Sequence, residues 1–225
     1  YGQGEMRRPV EIEFAVNLEP DGRSGTFYLL QIRPIVDNNQ EIKEDLNEVP
    51  NEDVILRSDN SLGNGVISNV QDVVYVKTDG YQQYTNPAIA DEVEKMNRKF
   101  LDADKNYVLV GPGRWGSSDP YLGIPVKWPH ISAARVIVEA GLTNYRVDPS
   151  QGTHFFQNLT SFNDGYINID SFANKDDVYD CETLDAMDAV QETEFFRHVR
   201  MDAPMEICID GRSNKAIVKI PKRGK

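Results

Sequence analysis

Residues 10–17 alternate along the chain, with Val10, Ile12, Phe14 and Val16 on one side and Glu11, Glu13, Ala15 and Asn17 on the other. That period of two fits a strand. The turn cluster PDGRSG follows, and then TFYLLQIRP, a second strand closed by Pro34. Together they predict a β-hairpin with a longer loop. Side chains two apart on a strand share a face. Glu11 and Glu13 therefore project side by side, about 7 Å apart, and Gln31 and Arg33 do the same on the next strand. Like charges this close repel unless a cation sits nearby. Magnesium accepts one or two protein carboxylates and completes its shell with waters and phosphate oxygens. Arginine matches phosphate with two parallel hydrogen bonds. The set suits a metal-bound nucleoside triphosphate; a solvated sheet face with cross-strand Glu/Arg pairs is the other reading.

The acidic stretch DNNQEIKEDLNEVPNED reads as a linker ending in VILRS. The expected division is residues 1–36, a linker at 37–52, and a second domain at 53–225. In that domain LGNGVISNVQDVVYVKTD predicts strands with turns. NPAIADEVEKMNRKFLDAD has helical spacing at Ile89, Val93, Met96 and Phe100, with Asn-Pro as a start signal. NYVLV predicts a buried strand, HISAARVIVEA a short helix leading into a strand, and YINIDSF a strand. DCETLDAMDAVQETEFFRHVRM predicts a mostly helical run, and MEICIDGRSNKAIVKIP a hairpin around Asp210-Gly211. Strands mixed with helices predict an α/β or α+β class.

The net charge of -12 argues against nucleic-acid binding through bulk electrostatics. Cys181 and Cys208 form neither a CxxC pair nor a zinc spacing, so free, reduced, buried thiols and a cytoplasmic location are expected. No stretch is long and apolar enough to span a bilayer, so no membrane partner is expected. The sequence allows a homo-oligomer. It starts YGQGEMRRP and reaches a strand pattern almost at once, which reads as the middle of a longer protein.

VEIEF, a short turn and FYLLQIRP resemble the end of the ATP-grasp nucleotide-binding domain of the phosphoenolpyruvate synthase and pyruvate phosphate dikinase family. The resemblance covers about the first 35 residues. It implies an ATP-grasp remnant followed by an atypical C-terminal domain, with ATP and Mg2+ as cofactors. It also implies a phosphotransferase acting on a small acceptor such as pyruvate, with phosphoenolpyruvate on the same path. By the motif match, Glu13 is the metal residue, Gln31 and Arg33 sit at the nucleotide phosphates, and Glu11 fills the first acidic position. The family's phosphate-carrying histidine motif, T-S-H-A, is absent here. A ligand-binding or regulatory module attached to an ATP-grasp-like domain is the alternative.

Two further stretches concentrate polar chemistry. LVGPGRWGSSDP places Arg114, Ser117, Ser118 and Asp119 in a glycine-rich loop after an apolar strand. Such a loop cradles anions, or it is a tight turn with Trp115 packed below. SQGTHFFQNL places His154 between a Gly/Ser turn and two phenylalanines. There it takes or relays a phosphoryl group, acts as a base, or simply bonds a loop carbonyl. Arg114 and His154 are the catalytic candidates of this second site. His130 and His198 read as structural.

Overall fold

The computed structural model describes residues 10–18, 25–34, 42–149 and 164–221, and within the hairpin it describes side chains at 15–17 and 25–29. The chain divides into two compact units, Tyr1–Asn38 and Asn39–Lys225. Within the first, β1 (Val10–Leu18) and β2 (Gly25–Pro34) pair antiparallel.

The second unit is mixed α/β, mostly sheet with few helices. Its strands are β3 (Val54–Ser58), β4 (Asn60–Leu62), β5 (Gly65–Val76), β6 (Tyr107–Gly111), β7 (Arg114–Trp115), β8 (Gly123–Ile124), β9 (Ala134–Ala140), β10 (Gly165–Ile169), β11 (Val178–Tyr179), β12 (Ala189–Glu192), β13 (Phe196–Asp210) and β14 (Lys215–Lys219). The large sheet runs β11-β3-β14-β13-β5-β6-β9-β10-β4, with β12 added on β13. Its centre, β5-β6-β9-β10, is parallel; the flanking pairs β13–β5 and β10–β4 are antiparallel.

Only Asp59 separates β3 from β4, yet these strands pair near opposite ends of the sheet. The sheet therefore curls until its two ends meet at this kinked segment. The seam is tied by Ser58 Oγ, which donates to the Asn168 carbonyl, and by Ser61, whose N–H (2.9 Å) and Oγ (2.7 Å) both donate to the Asn214 carbonyl.

Strand alternation then sorts the core into two faces. Val73, Tyr75, Val108, Val110, Val136, Val138, Ile167 and Val199 meet on one. Val74, Leu109, Ile137 and Phe196 meet on the other, under the long helix α1 (Asn86–Asp102). The helix buries Ile89, Ala90, Val93, Met96 and Phe100, one stripe at helical spacing, with Pro87 in its first turn. Asn97 lies on the same stripe and is satisfied there. Its Oδ1 accepts from the Ala133 N–H (2.9 Å) and from the Tyr107 hydroxyl (3.0 Å).

Three expectations need correction. Residues 181–201 are not one helical run: the helix α2 covers only Cys181–Asp185, β12 follows, and β13 starts at Phe196. Helix-favouring Glu, Ala and Asp dominate the local composition. The partners on both sides of β13 override it, because Phe196 and Val199 are claimed by opposite core faces. His198 is accordingly a strand residue. HISAARVIVEA is preceded by a short 3-10 turn at Trp128–His130 and is a strand from Ala134 onward. In the acidic stretch before residue 53, Leu46 and Val49 are buried against Val54, Cys208 and Ile217, so this part packs on the second unit. Among the described residues no helix is long and apolar enough to cross a membrane.

Candidate functional site

In the hairpin, Glu13 is the cross-strand partner of Gln31, and Glu11 that of Arg33. Cross-strand partners share a face, as do positions two apart, so all four positions belong to one face of the ribbon. A register irregularity follows directly, between Glu13 and Phe14, and shifts the pairing of the rest of the strand. The four positions expected at a nucleotide site are thus brought together by backbone pairing alone. His154 lies outside the described residues.

The glycine-rich loop after β6 is a packed corner. Parallel β7 and β8 pair Arg114 with Gly123 and Trp115 with Ile124. Trp115 is buried, its backbone N–H donates to Glu139 Oε1 (3.0 Å), and its indole N–H donates to the Val138 carbonyl (3.0 Å). Glu139, also buried, receives the Tyr166 hydroxyl on its other oxygen at 2.7 Å. The glycines admit these neighbours. A Cβ at Gly111 would lie 2.4 Å from the Trp115 ring, and one at Gly113 would lie 2.6 Å from the Tyr145 ring. Arg114 Nε donates to the Asp148 carbonyl at 2.7 Å, Ser117 Oγ to the Asp119 carbonyl at 2.8 Å, and Asp119 Oδ1 accepts from the Tyr121 N–H at 2.9 Å. Ser118 is exposed. Of the two readings of this loop, these contacts follow the packed turn.

An open cavity of about 410 Å³ lies at the carboxyl ends of the parallel strands. Its walls come from Thr78 and Tyr81–Gln83 after β5, from Gly141–Tyr145 after β9, and from Ser171 and Phe172 after β10, together with Tyr179 and Cys181. In open α/β sheets this is where ligands bind. No charged side chain is among the described lining residues. Tyr81 donates to Asn86 Oδ1 (2.8 Å) and Asn86 donates to the Pro120 carbonyl (2.7 Å), which fixes one wall to the start of α1 and to the loop. The Tyr145 ring stands 5.4 Å from that of Tyr81. Behind the cavity, Tyr75 donates to Asp185 (2.7 Å) and accepts from Arg197 (3.0 Å). The hydroxyls of Tyr145 and Tyr179 are buried without a well-formed hydrogen bond. Burial holds both well protonated, above the ordinary tyrosine pKa. Burial also raises the Cys181 thiol, with the Asp185 charge adding to it, so this cysteine is not an activated nucleophile.

Two charged clusters are structural. Asp72, buried on β5, accepts from Arg200 Nε (2.8 Å) and bonds His198 Nε2 (2.6 Å) across β13. Burial pushes the Asp72 carboxyl up, but the bonds to His198 and Arg200 outweigh it and hold the group below its ordinary value. Glu44, Glu206 and Cys208 approach one another closely enough for a metal ion, but the Lys219 ammonium already binds both carboxylates. It thereby offsets one of their two negative charges and occupies the place between them.

Sequence reasoning did not single out Glu139, Tyr145 or Tyr179. Glu139 had a signal, an acid at the end of the apolar run RVIVEA. The tyrosines had none, since their roles depend on three separate strand ends converging. Comparison with protein-family models, curated proteins and solved structures finds no match for the chain.

Proposed function

We propose that the hairpin is the closing strand pair of an ATP-grasp nucleotide site, in a cytoplasmic phosphoenolpyruvate synthase-like phosphotransferase that uses Mg-ATP to phosphorylate a small acceptor such as pyruvate. The observation that carries this reading is the register, which sets Glu13 against Gln31 and Glu11 against Arg33 on one ribbon face. The donor types fit the group they would hold: carboxylate oxygens suit magnesium, and a guanidinium with an amide suits phosphate oxygens. Glu13 would hold the metal, with Glu11 beside it at the first acidic position of the nucleotide site, and Gln31 and Arg33 would position the phosphates. Bound magnesium supplies charge neutralisation at the phosphates, and the side chains supply orientation. Free thiols at Cys181 and Cys208 support a reducing compartment.

The test is Glu13→Gln in the full-length protein, read by ATP turnover and by magnesium-dependent nucleotide binding in calorimetry. Loss of both is expected; unchanged turnover removes Glu13 from the mechanism. The cavity at the strand ends favours a second reading for the other unit, a ligand-binding module that performs no chemistry of its own. Deleting the cavity's function while phosphotransfer persists is its signature.

A further inference from the structure

We propose that the cavity at the carboxyl ends of β5, β9 and β10 is a binding site for a nucleoside, held by its base through stacking and edge hydrogen bonds. Three observations lead there. The first is the wall chemistry. The rings of Tyr81, Phe172 and Tyr179 line the space, and so do three carboxamides, those of Gln82, Gln83 and Asn144. Aromatic faces suit a planar ring. Each carboxamide offers a donor beside an acceptor, the pattern by which Asn and Gln read a base edge. Thr78, Thr143 and Ser171 add hydroxyls suited to a ribose.

The second is size and charge. About 410 Å³ falls within the range of small-molecule pockets. Without a lysine, arginine, aspartate or glutamate among the described lining residues, recognition falls on an uncharged polar ring.

The third is a debt of hydrogen bonds. Tyr179 Oη, which belongs to this lining, is buried without a hydrogen-bond partner among the described residues. Buried hydroxyls left unpaired are costly and call for a partner. Phe172 is set for its role: the Arg146 guanidinium lies 4.1 Å over one face of its ring, which holds the side chain in place although it is 45% exposed.

The inference is independent of the hairpin reading, because a nucleoside without phosphates makes no demand on Glu13 or Arg33. The experiment titrates the protein with adenosine, guanosine, cytidine and uridine, and with methyl glucoside as a ring-bearing control, by calorimetry and saturation-transfer NMR. Saturable binding of at least one nucleoside is expected. Phe172→Ala is expected to weaken it about tenfold by loss of stacking, Phe172→Tyr to retain it, and Asn144→Ala to change the preference among bases. Phe172 and Asn144 are exposed, so each variant's unfolding midpoint is expected to stay at the parent value. Glu13→Gln is expected to leave nucleoside binding intact. The proposal is overturned if no nucleoside binds up to its solubility limit, if only the glucoside binds, or if folded Phe172→Ala binds as tightly as the parent.

Discussion

The glycine-rich loop makes two incompatible demands on its glycines. A cradle for anions needs open space over the backbone; a packed corner needs that space filled by protein. Replacing glycine by alanine at three positions separates these demands. Gly80 has φ +70° and nothing within 4 Å of a new Cβ, so Gly80→Ala measures the left-handed conformational cost alone, about 1 kcal/mol. Gly113 has φ +67°, and its Cβ would also meet the Tyr145 ring at 2.6 Å, the Tyr145 hydroxyl at 2.8 Å and the Leu122 carbonyl at 2.9 Å. The carbonyl belongs to backbone already bonded to the Arg114 N–H at 3.1 Å, so it cannot retreat freely. Overpacking of this kind adds about 1–3 kcal/mol, which brings Gly113→Ala to about 2–4 kcal/mol. Gly111→Ala carries no left-handed cost but drives a Cβ to 2.4 Å from a Trp115 ring held by its indole N–H bond and anchored through its backbone N–H, about 1–3 kcal/mol. The assay is urea unfolding of each variant in a Trp128→Phe background, where Trp115 is the one remaining tryptophan fluorophore. Midpoints are expected in the order Gly80→Ala above both loop variants, with unchanged slopes. Equal midpoints for Gly80→Ala and Gly113→Ala would refute the packed corner and reopen the anion cradle.

Asp72→Asn removes the carboxylate that His198 and Arg200 share, and equilibrium unfolding at pH 7 should show a loss of about 2–3 kcal/mol. Because the folded pKa of Asp72 is depressed, its contribution is fully present above the unfolded value, about 4, and is lost as pH falls through the folded one. The acid limb of a stability–pH curve should therefore flatten in Asp72→Asn; an unchanged limb contradicts the assignment. Glu139→Ala removes the acceptor of both the Trp115 N–H and the Tyr166 hydroxyl, and a cost of about 2–3 kcal/mol is expected, with altered Trp115 emission, by the same unfolding assay.

The helix from Asn86 to Asp102 was legible because its burial stripe is a local property, written at every third or fourth residue. The hairpin was legible for the same reason, at period two. The register that sets Glu13 opposite Gln31 was not fixed by local pattern, since alternation by itself allows more than one pairing of two strands. The run from Cys181 to Met201 misled because its composition favours a helix, whereas its structure is decided by β5 and by the two core faces that claim Phe196 and Val199. The loop at Gly111–Gly123 advertised glycine, arginine and serine, residue types that serve anion binding and tight packing alike. What separated the two was the position of Glu139 on β9 and of Tyr145 in the loop after it. The cavity was invisible for a similar reason: its rings and amides are spread over about a hundred residues of sequence.

The seam at Ser58–Ser61 ties the beginning of the second unit to its end. β3 finds its main partner in β14, a strand formed by residues 215–219, and the Ser61 bonds go to Asn214 just before it. During synthesis, the first strand of this unit must therefore wait for about 150 further residues to emerge before β14 covers it. Long waits of this kind slow folding and leave sticky backbone in view of other molecules, so β14 acts as the latch that ends the exposure.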